Sequence, residues 1–123
     1  MRPRSGTLTG QELEIMKIVW QRETVTVRDV YEELLKRRKV AYTTVMTMMK
    51  ILEQKKYLKR TQGERAYVYH PAQPQRQVVG AMVKEFVNRV FNGSAEPLLV
   101  HLVEDHHLSE RDLEEIARLR RKK

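Results

Sequence analysis

The chain has 123 residues, no cysteine and a formal net charge of +8. That length allows one modest domain or two very small ones. The missing cysteines exclude disulfide staples, cysteine-based zinc sites, thiol nucleophiles and thiol redox switches. The basic balance points to a polyanionic partner, nucleic acid before a membrane surface. No apolar run approaches the roughly 18 residues of a membrane span. The opening stretch MRPRSGTLTG lacks the apolar segment of a secretory signal, so the expected compartment is the cytosol.

Charge is unevenly spread. Residues 1–71 carry 15 Lys/Arg against 8 Asp/Glu, whereas residues 72–117 carry 4 against 8, before the basic end from Arg118 to Lys123. Polyanion binding therefore belongs to the first part. The polar, proline-containing stretch from His70 to Gln77 marks the expected boundary, giving domains 1–72 and 73–123.

Thr9-Gly10-Gln11-Glu12 is a capping box that starts a first helix running to about Arg22, with Leu8 and Leu13 at the staple positions. Leu13, Met16, Val19 and Trp20 recur at helical spacing as its core stripe. Thr26 and Asp29 repeat the capping pattern for a second helix. Val30, Tyr31, Leu34 and Leu35 form its stripe, and the cations Lys36 to Lys39 follow near its negative end.

A third helix is expected from about Tyr42 to Lys55. Val45, Met48, Met49 and Leu52 follow i, i+3, i+4, i+7 and make the buried side, with Met48 and Met49 as core filler. Stepping about 100° per residue, the opposite side carries Thr43, Thr47, Lys50 and Gln54, flanked by Thr44, Met46 and Ile51. That side lacks the Glu/Lys pairs of a merely solvated helix. Tyr57–Thr61 and Arg65–His70 then read as a β-hairpin turned at Gly63, with Tyr67 and Tyr69 on one face and Lys59, Arg60 and Arg65 near its tip.

Beyond the boundary, a helix from Val78 to Phe91 carries Val79, Met82, Val83, Phe86 and Val90, and Asn92-Gly93 ends it. An apolar segment from Leu98 to Val103 includes Leu99 and Leu102. Ser109 caps a last helix bearing Leu113, Ile116 and Leu119. About 50 residues in three short helices cannot cover such faces alone. A second copy of the chain is the expected cover.

Three small helices followed by a hairpin make a mainly α, winged helix-turn-helix fold, with a C-terminal helical dimerisation domain. In such folds the later helix enters the major groove and reads bases near its N-terminal end. The base-reading set is then Thr43, Thr44, Met46, Thr47 and Lys50, and the DNA-backbone set is Tyr42, Gln54, Lys59, Arg60 and Arg65. Hydroxyls bond base edges, a threonine methyl touches a thymine methyl, and cations meet phosphates.

The strings LTGQELEIMKIVW, TVRDVYEELLKRRKVAYTTVMTMMKILEQKKYLKR and GERAYVYHP resemble the BlaI/MecI/CopY family of penicillinase and copper-responsive repressors over roughly residues 8–120. The segment from Ala41 to Leu58 carries the resemblance most strongly. It implies a homodimeric repressor of double-stranded operator DNA, clamped through residues 73–123. It also implies relief by a membrane-bound sensor protease that cuts an Asn–Phe bond in the dimerisation region. By position, His101–Leu102 stands there instead. Copper-responsive members use a C-terminal cysteine motif, which this chain lacks. Lys56 stands where the family has glycine after the recognition helix, so a left-handed backbone there would be strained.

Blander readings attach to several residues. Arg2 and Arg4 fit a loose tail better than a minor-groove arm. Lys36 to Lys39 fits a solvated run, and Trp20 fits the core. Tyr42 suits a phosphate contact or a brace equally. His101, His106 and His107 with Glu104 and Asp105 lack the spacing of a metal site, so no metal or cofactor is expected. No nucleophile elbow, HExxH, P-loop or GxGxxG occurs, and an enzyme is not expected. The alternative to a repressor is a winged-helix protein-interaction module that does not read DNA sequence.

Overall fold

A computed structural model of the chain describes residues 8–121. Arg2 and Arg4 lie outside the described residues. Six helices and one two-stranded sheet follow in order: α1 (Gly10–Arg22), α2 (Val27–Leu35), α3 (Tyr42–Gln54), β1 (Leu58–Gln62), β2 (Tyr67–Pro71), α4 (Gln75–Phe91), α5 (Glu96–His106) and α6 (Glu110–Arg121). The chain divides into two compact units, one ending at Val78 and one starting at Val79. The mainly helical winged helix-turn-helix expected from the sequence is the fold of the first unit, and the second is helical. No described helix is long and apolar enough to cross a membrane.

Both capping boxes form. Glu12 N–H donates to Thr9 Oγ1 at 3.1 Å while Thr9 N–H donates to Glu12 Oε1 at 2.9 Å. Thr26 and Asp29 reproduce the pair at 3.1 and 2.9 Å. Each box satisfies two donors that the first helical turn leaves without partners. Ser109 and Asp112 do the same before α6.

The core stripe of α1 departs from the expectation. Ile15, Met16, Ile18 and Val19 are buried, whereas Leu13 and Trp20 are only partly covered. The reason is that α1 packs against α2, α3 and β2, so its buried arc is wider than one a single neighbour would cover. Trp20 instead donates its indole N–H to the Gln73 carbonyl at 3.0 Å. Ala72 N–H donates to the Tyr57 carbonyl, and Val78 is buried. The polar stretch after the hairpin thus belongs to the first unit.

On α3, Val45, Met49 and Leu52 are buried. Each such side chain contributes about 1.5–3 kcal/mol of burial free energy. Met48, expected as core filler, is only half-buried, because it sits at the margin of the arc that α1 and α2 cover. The helix ends in a Schellman closure, with Lys56 N–H to the Glu53 carbonyl (3.0 Å) and Tyr57 N–H to the Leu52 carbonyl (2.9 Å). Lys56 supplies the left-handed residue of that closure, at φ +74°.

The strands pair antiparallel, with Leu58 opposite Pro71 and Gln62 opposite Tyr67. Gly63 is needed for space rather than for a left-handed backbone. Its N–H donates to the Ala66 carbonyl at 3.0 Å, and a Cβ there would collide with that carbonyl. Val25 and Tyr69 exchange two backbone hydrogen bonds at 3.1 and 2.7 Å, tying the α1–α2 loop to the hairpin.

A β-carbon in the left-handed region costs about 1–2 kcal/mol, partly offset by the unfolded-state freedom of glycine. Lys56→Gly is therefore expected to raise the unfolding free energy by about 1 kcal/mol. The denaturant midpoint measures this, and a lower midpoint would show that Lys56 holds the closure by contacts that outweigh the backbone strain.

Candidate nucleic-acid interface

The face of α3 opposite its buried stripe is formed by Thr43, Thr47, Lys50 and Gln54, all exposed, with Thr44 exposed beside them. Met46 and Ile51 are half-buried at its margins. The structure thus brings the expected base-reading residues onto one surface, with Met46 at the edge. Glu53, the sole acidic residue of α3, lies half-buried at the margin of this face and is held by Arg60 Nε at 3.3 Å. The exposed face carries hydroxyls, one amide and one cation, with no carboxylate to repel phosphate.

The start of α3 is braced from α2. The Tyr42 and Tyr31 rings meet edge to face with centroids 5.3 Å apart, and the Arg28 guanidinium lies 5.9 Å from the Tyr42 centroid. Tyr42 is the brace that the sequence offered as one of two roles, and it keeps an accessible edge.

The hairpin corrects one expectation. Arg65 sits in the turn, but Lys59 and Arg60 lie towards the base of β1, opposite His70 and Tyr69. Being adjacent on a strand, they face opposite sides of the ribbon. Arg60 points to the α3 side, pairing with Glu53 and stacking 4.0 Å from the Tyr67 ring centroid. Lys59 lines the other side with Thr61, His70 and Glu23, where Thr61 Oγ1 and His70 Nε2 are 3.1 Å apart. Lys50, Lys59 and Arg65 make no ion pair among the described residues.

The run Lys36 to Lys39 is not merely solvated. Arg38 binds Glu14 at 2.6 Å and Arg37 binds it at 3.5 Å, which ties the α2–α3 connection to α1. The hydrogen bond from Arg38 is the chief cause that holds the Glu14 carboxyl below its ordinary range. The charges of both arginines act the same way, and partial burial opposes them. Sequence reasoning placed Glu12 in the capping box but missed that it is 5% exposed and bound by Lys55. Its spacing from Ile15, Met16 and Val19 puts it on the buried arc, a signal visible in the sequence.

In the second unit, Val79, Val83, Phe86, Val90, Leu99 and Ile116 are exposed, and Met82, Leu102 and Leu113 are half-buried. None of the described side chains from Val79 onward is buried. The His101–Leu102 bond lies inside α5. His101 faces Asp105 at 3.7 Å, and no group of three or more His, Asp or Glu among the described residues could hold a metal ion.

A basic, carboxylate-free helix face beside a hairpin defines a winged helix-turn-helix of the nucleic-acid-binding class. The family described as penicillinase repressor matches residues 8–122, and the chain belongs to it. This is a family of DNA-binding transcriptional repressors. The chain is 39% identical to the transcriptional regulator BlaI of Mycobacterium tuberculosis over 76% of this chain and 69% of that one. It is 24% identical to the methicillin resistance regulatory protein MecI of Mammaliicoccus sciuri over the whole of both. The solution structure of monomeric Bacillus licheniformis BlaI in complex with the blaP half-operator matches with a TM-score of 0.51 at 28% identity, over 58% of this chain and 88% of that one.

A group whose folded pKa is depressed contributes stability above its unfolded pKa and loses it as pH falls through the folded value. Glu14 is expected to stabilise the first unit above about pH 4.3, the ordinary glutamate range, and to lose that contribution in more acid solution. The stability gap between wild type and Glu14→Gln should narrow as pH falls below about 4. A gap that stays constant from neutral to strongly acid solution would show that the arginine contacts do not act through the carboxylate charge.

Proposed function

We propose that this chain is a sequence-specific transcriptional repressor that occupies a two-fold operator as a homodimer. The observation that carries this reading is the carboxylate-free face of α3, presented by a helix whose other side is fixed in the core. Thr43, Thr44, Thr47 and Lys50, bordered by Met46, read base edges in the major groove. Tyr42, Gln54, Arg60 and Arg65 meet the backbone, and Lys59 does so from the far side of the wing. Such contacts set register and make binding salt-sensitive. The Bacillus licheniformis relative was solved in complex with the blaP half-operator, which supports DNA binding by this chain.

Dimerisation is assigned to residues 73–123. The uncovered apolar residues of α4, α5 and α6 support it, since no described side chain from Val79 onward is buried and this unit lacks a core of its own. A two-fold dimer requires half-sites about one helical turn apart, roughly 34–36 Å or a multiple. Relief of repression by a membrane-bound sensor protease belongs to the same proposal, with His101–Leu102 as the cut position. Because that bond is inside a helix, α5 must open locally before a protease can engage it.

Binding of the full chain to the DNA upstream of its own gene, beside a scrambled duplex and across a salt series, tests the reading. A preference of about a thousandfold or more with a steep salt slope is expected. Equal affinity for both duplexes would favour a protein-interaction module. Thr47→Ala is expected to lower discrimination by about 1 kcal/mol, whereas Arg65→Ala should weaken both duplexes alike and reduce the salt slope by about one. A Thr47→Ala variant that loses both affinities equally would remove Thr47 from the base readers.

A further inference from the structure

One carboxylate ties the beginning of α1 to the end of the recognition helix. Glu12 Oε1 accepts the Thr9 N–H at 2.9 Å, closing the capping box. The same oxygen accepts from Lys55 Nζ at 2.8 Å, and Oε2 accepts from that ammonium at 3.1 Å. Lys55 is the C-cap residue of α3. The Glu12 side chain is 6% exposed and that of Lys55 22%, so water screens the pair weakly. Forty-three residues separate the partners.

The buried stripe of α3 does not by itself fix how far the helix slides along its axis. Val45, Met49 and Leu52 set its rotation and resist sliding by close packing, but the apolar driving force itself is non-directional. A short, two-oxygen ion pair at one end is directional. The next residue, Lys56, turns the chain into β1 through its left-handed backbone, so the pair also fixes where the wing departs. At the other end, the Tyr42–Tyr31 contact is a ring-edge contact with no hydrogen bond of its own.

We infer that Glu12 is a positioning residue for operator reading: through Lys55 it sets the axial placement of α3, and hence the register of Thr43, Thr47 and Lys50 against the bases. Glu12 faces the core and contacts no DNA. This inference rests on the operator-reading proposal above. It goes beyond it by making sequence discrimination depend on a side chain outside the interface.

Glu12→Gln separates the two duties of the carboxylate. A glutamine at this position keeps an acceptor for the Thr9 N–H, as capping boxes allow, but loses the negative charge that Glu12 offers Lys55. The probe is the duplex that the wild-type chain selects from a randomised pool, beside a scrambled duplex of the same length. Glu12→Gln is expected to lower the preference for the selected duplex about tenfold or more. Affinity for the scrambled duplex should hold or rise slightly, since the variant gains one positive charge. A merely structural role would instead lower both affinities together as the folded fraction falls.

The double variant Glu12→Gln with Lys55→Gln removes both charges and leaves no uncompensated buried ion, so it serves if Glu12→Gln is poorly folded. It too should fold yet discriminate poorly. A folded single or double variant with wild-type preference overturns the inference and leaves the operator reading standing. A wild-type chain that selects no sequence at all overturns the operator reading and this inference with it.

Discussion

The constraint on which the rest depends is the rotational setting of α3. Burying Val45, Met49 and Leu52 leaves only one arc of this helix for solvent, and the sequence fills that arc with threonines, a lysine and a glutamine. Nothing about the exposed residues themselves fixes their direction. They face outward together because turning the helix would expose about three apolar side chains, at roughly 1.5–3 kcal/mol each. Core packing and base reading are thus two sides of one helical period. The neighbouring elements refine that setting. Tyr31 braces the start of α3, Glu12 holds its end, and Glu14 holds the connection that leads into it.

Much of this was legible in the sequence because it is local. Capping boxes span four residues, helical periodicity spans about eleven, and a hairpin needs only its turn and alternation. Those signals placed α1, α2, α3 and the wing close to where they occur, and they separated the two sides of α3 except at Met48. What was illegible involves residues far apart in the chain. The partners Glu12 and Lys55, Glu14 and Arg38, and Trp20 and Gln73 are each brought together by packing, and no local pattern announces them. The misassigned stripe of α1 has the same origin: three neighbours widened an arc that periodicity draws around one. Lys59 and Arg60 are a different case. Strand alternation already puts adjacent residues on opposite sides, so their separation was available from the sequence.

The electrostatics of the first unit divide along the same line. Carboxylates near the recognition helix are consumed internally, Glu12 by Lys55, Glu14 by Arg37 and Arg38, and Glu53 by Arg60. Lys50, Lys59 and Arg65 stay unpaired among the described residues. The net positive charge is therefore presented rather than cancelled. Exposed surface pairs contribute little to stability, so the weight of this arrangement falls on the potential that the unit offers to a polyanion.

Separating the reader from the clamp has a consequence for control under the proposed function. One winged helix reads one half-site with limited affinity. Joining two makes the second half-site encounter intramolecular, and affinity then rises by an effective-concentration factor of about 10²–10⁴ without a new contact to DNA. Repression built this way can be lost by weakening the clamp alone, with the reading surface untouched. The second unit suits that purpose because it keeps little structure in reserve. Its apolar side chains are at best half-buried, and Val83, Leu99 and Ile116 are about half exposed in the single chain. An event that opens α5 removes the middle helix of this unit and, with it, the continuity between α4 and α6. Two intact readers would then remain, each too weakly held to keep an operator occupied.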